Sequence, residues 1–164
     1  HTRKIARFIE DEAQILGWEV EVKDIVDGAV GLEGFDAVLI GASVHVGKYQ
    51  TAIADFVIRH AVELNGKLSG FLSVSLTAAG TDEESWKELH EITAHFLKHC
   101  DWAPQRTLQV AGALKYVEYD WLKRMLMRQI AKNAGGSTDT KRDHEYTNWE
   151  ELKAFVTEFL ALKK

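Results

Sequence analysis

The sequence predicts an α/β fold, a doubly wound parallel sheet with helices on both faces, and three observations carry that expectation. Short apolar runs of strand length alternate with longer stretches of helical periodicity. The run Asp36-Ala37-Val38-Leu39-Ile40-Gly41 is almost continuously apolar and closes on glycine, as a strand covered on both faces requires. The 164 residues hold one proline and no Ser/Gly/Pro-rich tract, so the alternation runs through a single domain, 1–164, with no linker.

The elements follow in order. Ile5, Ile9, Ala13 and Leu16 recur at three-to-four spacing, and Gly17 is the stop of an opening helix. Residues 19–23 alternate, with Val20 and Val22 on one side, and read as an edge strand. After the strand at 36–41, Ile53, Phe56, Val57, His60, Ala61 and Leu64 share one helical face, and Asn65-Gly66 offers a left-handed exit. Residues 70–76 form the next strand. Thr81-Asp82-Glu83-Glu84 is a capping box for a helix that turns Trp86, Leu89, Thr93, Phe96, Leu97 and Cys100 inward. Residues 108–114 make the last core strand. Thr147-Asn148-Trp149-Glu150 is a second capping box, before a helix carrying Leu152, Phe155, Val156 and Phe159. Residues 115–146 between them exceed an ordinary connection of about 2–6 residues and read as a functional insertion.

A doubly wound sheet normally begins with a strand that feeds its first helix, whereas this sequence opens on the helix. The expectation is a five-stranded parallel sheet whose first, central strand and most of the turn after it precede His1.

Composition narrows the class. With 46% hydrophobic residues, 27% charged residues and a net charge of -5, the chain has the profile of a globular domain. Its one cysteine, Cys100, excludes an internal disulfide and favours a reducing, cytoplasmic setting. No apolar run approaches the roughly 20 residues of a membrane span. The acidic balance argues against generic nucleic-acid binding.

In such sheets ligands bind beyond the carboxyl ends of the strands. That rule selects the loop Gly41-Ala42-Ser43-Val44-His45-Val46-Gly47-Lys48-Tyr49, the loop Ser75-Leu76-Thr77-Ala78-Ala79-Gly80 and a third loop beginning at Lys115. Their small residues let a flat ligand approach, and their hydroxyls suit its polar rim; the competing reading is a set of tight turns. The dinucleotide fingerprint is absent, since Gly28, Gly31 and Gly34 have another spacing, and Gly47-Lys48 is followed by Tyr49 where a Walker motif needs Ser or Thr. Thr2 could bind a phosphate through its hydroxyl and the helix N-terminus, or simply cap the helix.

His95 and His99 have metal-ligand spacing, but Cys100 falls on the apolar face and both histidines on the opposite one, so no metal is expected. His45 is a candidate general acid or base by its loop position, with no visible carboxylate partner. Through residue 132 the insertion carries Lys115, Lys123, Arg124, Arg128 and Lys132 against Glu118 and Asp120, a basic segment on an acidic body. Tyr119, Leu122, Met125, Leu126 and Ile130 fall on one side of a helix and the cations opposite, with Trp121 near the basic arc. That pattern suits either docking on the protein itself or, over 117–133, lying on anionic headgroups.

Three sets of residues carry a family resemblance: Ile40-Gly41-Ala42-Ser43-Val44-His45-Val46-Gly47-Lys48-Tyr49; Ala111-Gly112-Ala113-Leu114-Lys115-Tyr116; and Gly135-Gly136-Ser137-Thr138-Asp139-Thr140 with Tyr146-Thr147-Asn148-Trp149-Glu150. Over nearly its whole length the chain resembles the flavodoxin-like, quinone-dependent protoporphyrinogen oxidases. The resemblance implies FMN as cofactor. Thr2 matches the end of the phosphate turn, Ala42, Ser43, Val44, His45, Val46, Gly47 and Lys48 match one loop bordering the flavin, and Ser75, Leu76, Thr77 and Ala78 match the next. It also implies oxidation of protoporphyrinogen IX in haem biosynthesis, with electrons passed to a membrane quinone at the inner face of the cell membrane. Lys48, Lys115, Lys123 and Arg124 are candidate partners of the porphyrin propionates. The alternative is a flavodoxin-type electron-transfer protein without a porphyrin substrate.

Overall fold

A computed structural model of the chain describes residues 1–27, 29–114 and 144–163. Three strands, β1 (Ala37–Ser43), β2 (Leu68–Ser75) and β3 (Arg106–Ala111), form a parallel sheet in that order. Helices α2 (Thr51–Arg59) and α3 (Ala61–Gly66) join β1 to β2, and α4 (Glu83–His99) joins β2 to β3. Helix α1 (Thr2–Ile15) precedes the sheet and α5 (Trp149–Ala161) follows it. A two-residue ribbon, β4 (Ala113–Leu114) with β5 (His144–Glu145), flanks residues 115–143.

Alternation along the strands divides the core in two. Leu72, Val74 and Val110 face α1 and α5, where they meet Ile5, Ile9, Leu152, Val156 and Phe159. Ile40, Ala42 and Phe71 face the other way, against Ile53, Phe56, Val57 and Leu64 of α2 and α3, Phe96 of α4, and Trp102. The helices thus cover both sheet faces, as the doubly wound reading requires. Gly70 makes one face close: a Cβ there would stand 2.6 Å from Leu39 Cδ2 and 3.0 Å from Phe159 Cε2, so only glycine lets the Phe159 ring reach the sheet.

Helix ends follow local chemistry. Gly17, at φ +88°, stops α1 with its N–H on Gln14 O and the Trp18 N–H on Ala13 O, a Schellman motif. Asp101, at φ +51°, ends α4 in the same way, with the Trp102 N–H on Leu97 O.

Four local expectations are corrected. Residues 19–23 form no ladder, because no strand among the described residues lies beside them. The helix expected over 53–64 breaks at His60, where φ -110° and ψ 12° separate α2 from α3. Gly66 belongs to α3 and the chain leaves through extended Lys67; Asn65 instead clamps the far end of α4, donating to Asp101 O at 2.7 Å and accepting from Ala103 N–H at 2.9 Å. Both capping boxes slip by one residue: Asp82 caps α4 through Ser85 N–H, and Asn148 caps α5 through Glu151 N–H.

Candidate functional site

Because the strands are parallel, their carboxyl ends share one edge and the loops leaving them meet there. Backbone bonds lace that edge together. Val44 N–H donates to Val74 O at 2.8 Å, Gly112 N–H to Ser75 O at 2.9 Å, and Tyr146 N–H to Gly112 O at 3.2 Å. Helix α1 brings its N-terminus to the same rim, with Thr2 Oγ1 at 2.6 Å from Ser43 Oγ. His1 Nε2 lies 2.7 Å from Thr147 Oγ1, which donates its single proton to Ala111 O at 2.7 Å. The Thr147 oxygen therefore accepts from His1, and the His1 proton is on Nε2. The sequence offers Thr147 only as a helix cap, and this contact at the rim is not foreseen from it. Freed from capping by the one-residue slip, Thr147 ties the end of β3 to α1.

The first turn of α1 is chemically unusual. It holds no acidic residue, although acids stabilise helix N-termini, and it carries Arg3 and Lys4 instead. Arg3 pairs with Asp24 at 3.1 Å, and Lys4 pairs with Glu145 at 2.6 Å beneath the Trp149 ring. The Val26 amide and then Arg3 hold the Asp24 carboxyl below its usual range; the hydrogen bond from Lys4 does the same for Glu145. With both cations already paired to carboxylates, what this turn offers an anion is the helix N-terminus and the Thr2 hydroxyl.

The 42–48 loop begins with buried Ala42 and half-buried Ser43 and Val44, then turns outward. His45 and Lys48 exchange backbone bonds of 2.8 and 3.1 Å around Val46, at φ +48°, and Gly47, at φ +72°. Two positive φ angles in a two-residue turn are the type I′ pattern, which asparagine and glycine satisfy and a β-branched residue does not. The Val46 side chain gains nothing in return, being 88% exposed. Val46→Asn should therefore stabilise the protein by about 1 kcal/mol, read as a raised midpoint in urea unfolding. His45 and Lys48 are exposed on this turn, and among the described residues no carboxylate pairs with the His45 ring.

In the second loop, Ser75 is buried and its Oγ accepts from Ala78 N–H at 3.2 Å, closing a short turn over Thr77–Ala79. Leu76, Thr77 and Ala78 stay half-buried at the rim. Trp86 Nε1 donates to Gly80 O at 2.6 Å and pins the loop to α4. Lys115, Lys123, Arg124 and the expected basic helix over 117–133 lie outside the described residues. His95 and His99 are exposed on α4, while Cys100 is buried, and burial pushes its thiol up.

Beneath the two loops runs a half-buried polar chain. The Tyr49 hydroxyl lies 2.7 Å from Ser73 Oγ and 2.9 Å from Thr93 Oγ1, and Gln109 Nε2 donates to Thr93 at 2.8 Å. Burial raises the Tyr49 pKa against the opposing pull of those hydroxyls. The native state then holds a proton that the unfolded chain gives up near pH 10, so stability should fall as pH rises above about 10. Tyr49→Phe should flatten that fall in urea unfolding measured between pH 9 and 11.

Comparison with known proteins sets this geometry in a family. The model of the flavodoxin domain matches residues 1–141. The chain belongs to the flavodoxin-domain family. Among curated proteins, this flavodoxin-family chain is 35% identical to the protoporphyrinogen IX dehydrogenase [quinone] of Escherichia coli K12 over 98% of its own length and 89% of that protein. It is 36% identical to the protein of the same name from Leishmania major, over 96% of its own length and 67% of that protein. No solved structure gives a significant match. No helix among the described residues is long and apolar enough to cross a membrane.

Proposed function

We propose that this flavodoxin-family protein binds FMN and oxidises protoporphyrinogen IX to protoporphyrin IX, passing the electrons to a membrane quinone. The observation that supports this most is identity of 35% along 98% of the chain to a relative named for that reaction. The residues at the rim support this reading. The Thr2 hydroxyl and the N-terminus of α1 suit its phosphate, and the 42–48 and 75–78 loops, rich in small residues, leave the same strand edge to border a flat ring. Bound FMN supplies two-electron redox chemistry that no side chain here possesses.

The chain's own contribution is placement. Ser43 and Thr2 fix the first loop to α1, Ser75 closes the turn of the second loop on itself, and Trp86 fixes that loop to α4. Removing six electrons and six protons from the porphyrinogen consumes three quinones and yields three hydroquinones. Lys48 stands exposed beside the ring site, where it can meet a propionate. Lys115, Lys123 and Arg124 are proposed for the same role, and 117–133 for peripheral contact with the inner face of the cell membrane.

The test is anaerobic oxidation of protoporphyrinogen IX in quinone-bearing anionic vesicles, followed by porphyrin fluorescence, with FMN retention measured by absorbance. Stoichiometric flavin and quinone-dependent porphyrin formation are expected; one-electron exchange without porphyrin would instead indicate the electron-carrier reading. In the same assay, Lys48→Ala should raise the porphyrinogen KM about threefold, in keeping with an exposed ion pair. Deleting 117–133 should reduce vesicle binding and leave flavin retention intact. Unchanged vesicle binding would exclude the membrane role.

A further inference from the structure

We propose that the cleft between α4 and the outer edge of β3 seats the quinone ring, an inference that rests on the function proposed above. The cleft has a volume of about 430 Å³, within the usual range of small-ligand sites. Its apolar walls come from Trp86 and Leu97 on α4, and polar groups come from His90, Thr107, Gln109 and, at the start of α5, Glu151. Trp86 and His90 hold their rings 5.7 Å apart at 38°, forming an aromatic jaw at one side.

Charge selects between the two substrates of the proposed reaction. Among the described residues the lining includes one carboxylate and neither lysine nor arginine. A porphyrinogen would set two propionates against Glu151 with no cation among the described lining residues to meet them, whereas a quinone ring is neutral. Hydrogen bonding selects further. Gln109 Nε2 donates one proton to Thr93, while Gln109 Oε1 is buried with no partner among the described residues. An orphan acceptor in a binding wall calls for a donor. A hydroquinone hydroxyl supplies one, and the Thr107 hydroxyl and His90 imidazole can in turn donate to the carbonyls of the oxidised ring. Position agrees with this chemistry. Trp86 is hydrogen-bonded to Gly80 O, two residues beyond Ala78, so the cleft adjoins the loop proposed to border the flavin.

The experiment titrates the full chain, supplied with FMN, with 2-methyl-1,4-naphthoquinone and its hydroquinone under nitrogen, following nitrogen-15 NMR spectra. The largest shifts are expected at the Trp86 indole N–H and the Gln109 side-chain amide. Gln109→Leu should weaken the hydroquinone about tenfold and the quinone less, while His90→Ala, on an exposed helix face, should weaken the quinone severalfold. If Gln109→Leu does not fold, the wild-type shift map and His90→Ala decide. Shifts confined to 42–48 and 75–78, or equal affinities in wild type and both variants, would overturn the assignment. Porphyrinogen oxidation with the ring absent from the cleft would defeat this site alone. A ring in the cleft with no porphyrinogen oxidation by any acceptor would defeat the proposed function and leave the site standing.

Discussion

Phe71→Ala should lower the free energy of unfolding by about 3–5 kcal/mol, the largest loss expected from any single truncation in this core. Phe71 is fully buried on the central strand β2 and is the hub of an aromatic cluster. Its ring stacks on Phe96 at 5.2 Å and 22°, and meets Trp102 and Tyr49 edge-on at 5.6 and 5.3 Å. Collapse cannot fill the space, because the neighbouring groups are anchored elsewhere. Trp102 Nε1 is bonded to Ser69 Oγ at 2.9 Å and the Tyr49 hydroxyl to Ser73. A residual cavity therefore persists and adds to the lost transfer energy. The loss should reach the site as well, since Tyr49 ends the 42–49 loop; flavin affinity should fall with stability. Urea unfolding at constant slope checks the first claim and flavin titration the second. A loss below about 1.5 kcal/mol would mean that the cluster relaxes after all.

The same cluster shows what a sequence can and cannot disclose. Burial follows periodicity, so Ile5, Ile9 and Ala13 on α1, and Leu89, Thr93, Phe96 and Cys100 around α4, are inward as their spacing indicates. Register at helix starts is harder. Thr81-Asp82 and Thr147-Asn148 each offer two good caps; Glu150 and Glu151 complete a box in either register at α5, whereas at α4 only Thr81 has an acid, Glu84, three residues on, and Asp82 has Ser85 there. Tertiary contacts break the tie at α5: Thr147 is claimed by Ala111 O, and Asn148 is left to cap. The strand reading of 19–23 failed for a different reason. Alternation records which side of a segment is apolar, but a strand exists through its ladder, and the partner is a matter of topology. The half-buried chain from Ser73 through Tyr49 and Thr93 to Gln109 left no local trace at all. Its members are 16 to 44 residues apart in sequence and meet only once the sheet and α4 have assembled.

The loops of the candidate site were legible as a location, because parallel strands place their carboxyl ends together whatever their composition. What holds those loops was not. The contact between Thr2 and Ser43 spans 41 residues and links a helix start to a strand end. It also makes the phosphate half of the site testable by one substitution.

Thr2→Val should weaken FMN binding about tenfold to a hundredfold, the loss of one hydrogen bond to a charged group, roughly 1.5–3 kcal/mol. The substitution is nearly isosteric. It keeps the methyl group, which lies 3.8 Å from where a Cβ on Gly41 would stand, so packing against β1 is retained. It removes the hydroxyl, and with it both the proposed phosphate ligand and the 2.6 Å bond to Ser43. Two effects are thus combined, and Ser43→Ala separates them. That variant breaks the bond between helix and loop but leaves Thr2 free to face the phosphate, so it should cost only a few-fold in affinity. Thr2→Ser restores the hydroxyl and should restore binding. The phosphate should also be visible by difference, because riboflavin lacks it: Thr2→Val should leave riboflavin affinity nearly unchanged while FMN affinity falls. Equal losses for the two flavins would show that the hydroxyl serves the loop and that the anion sits elsewhere. Selective loss for FMN would place the phosphate at the first turn of α1, where the helix N-terminus favours an anion.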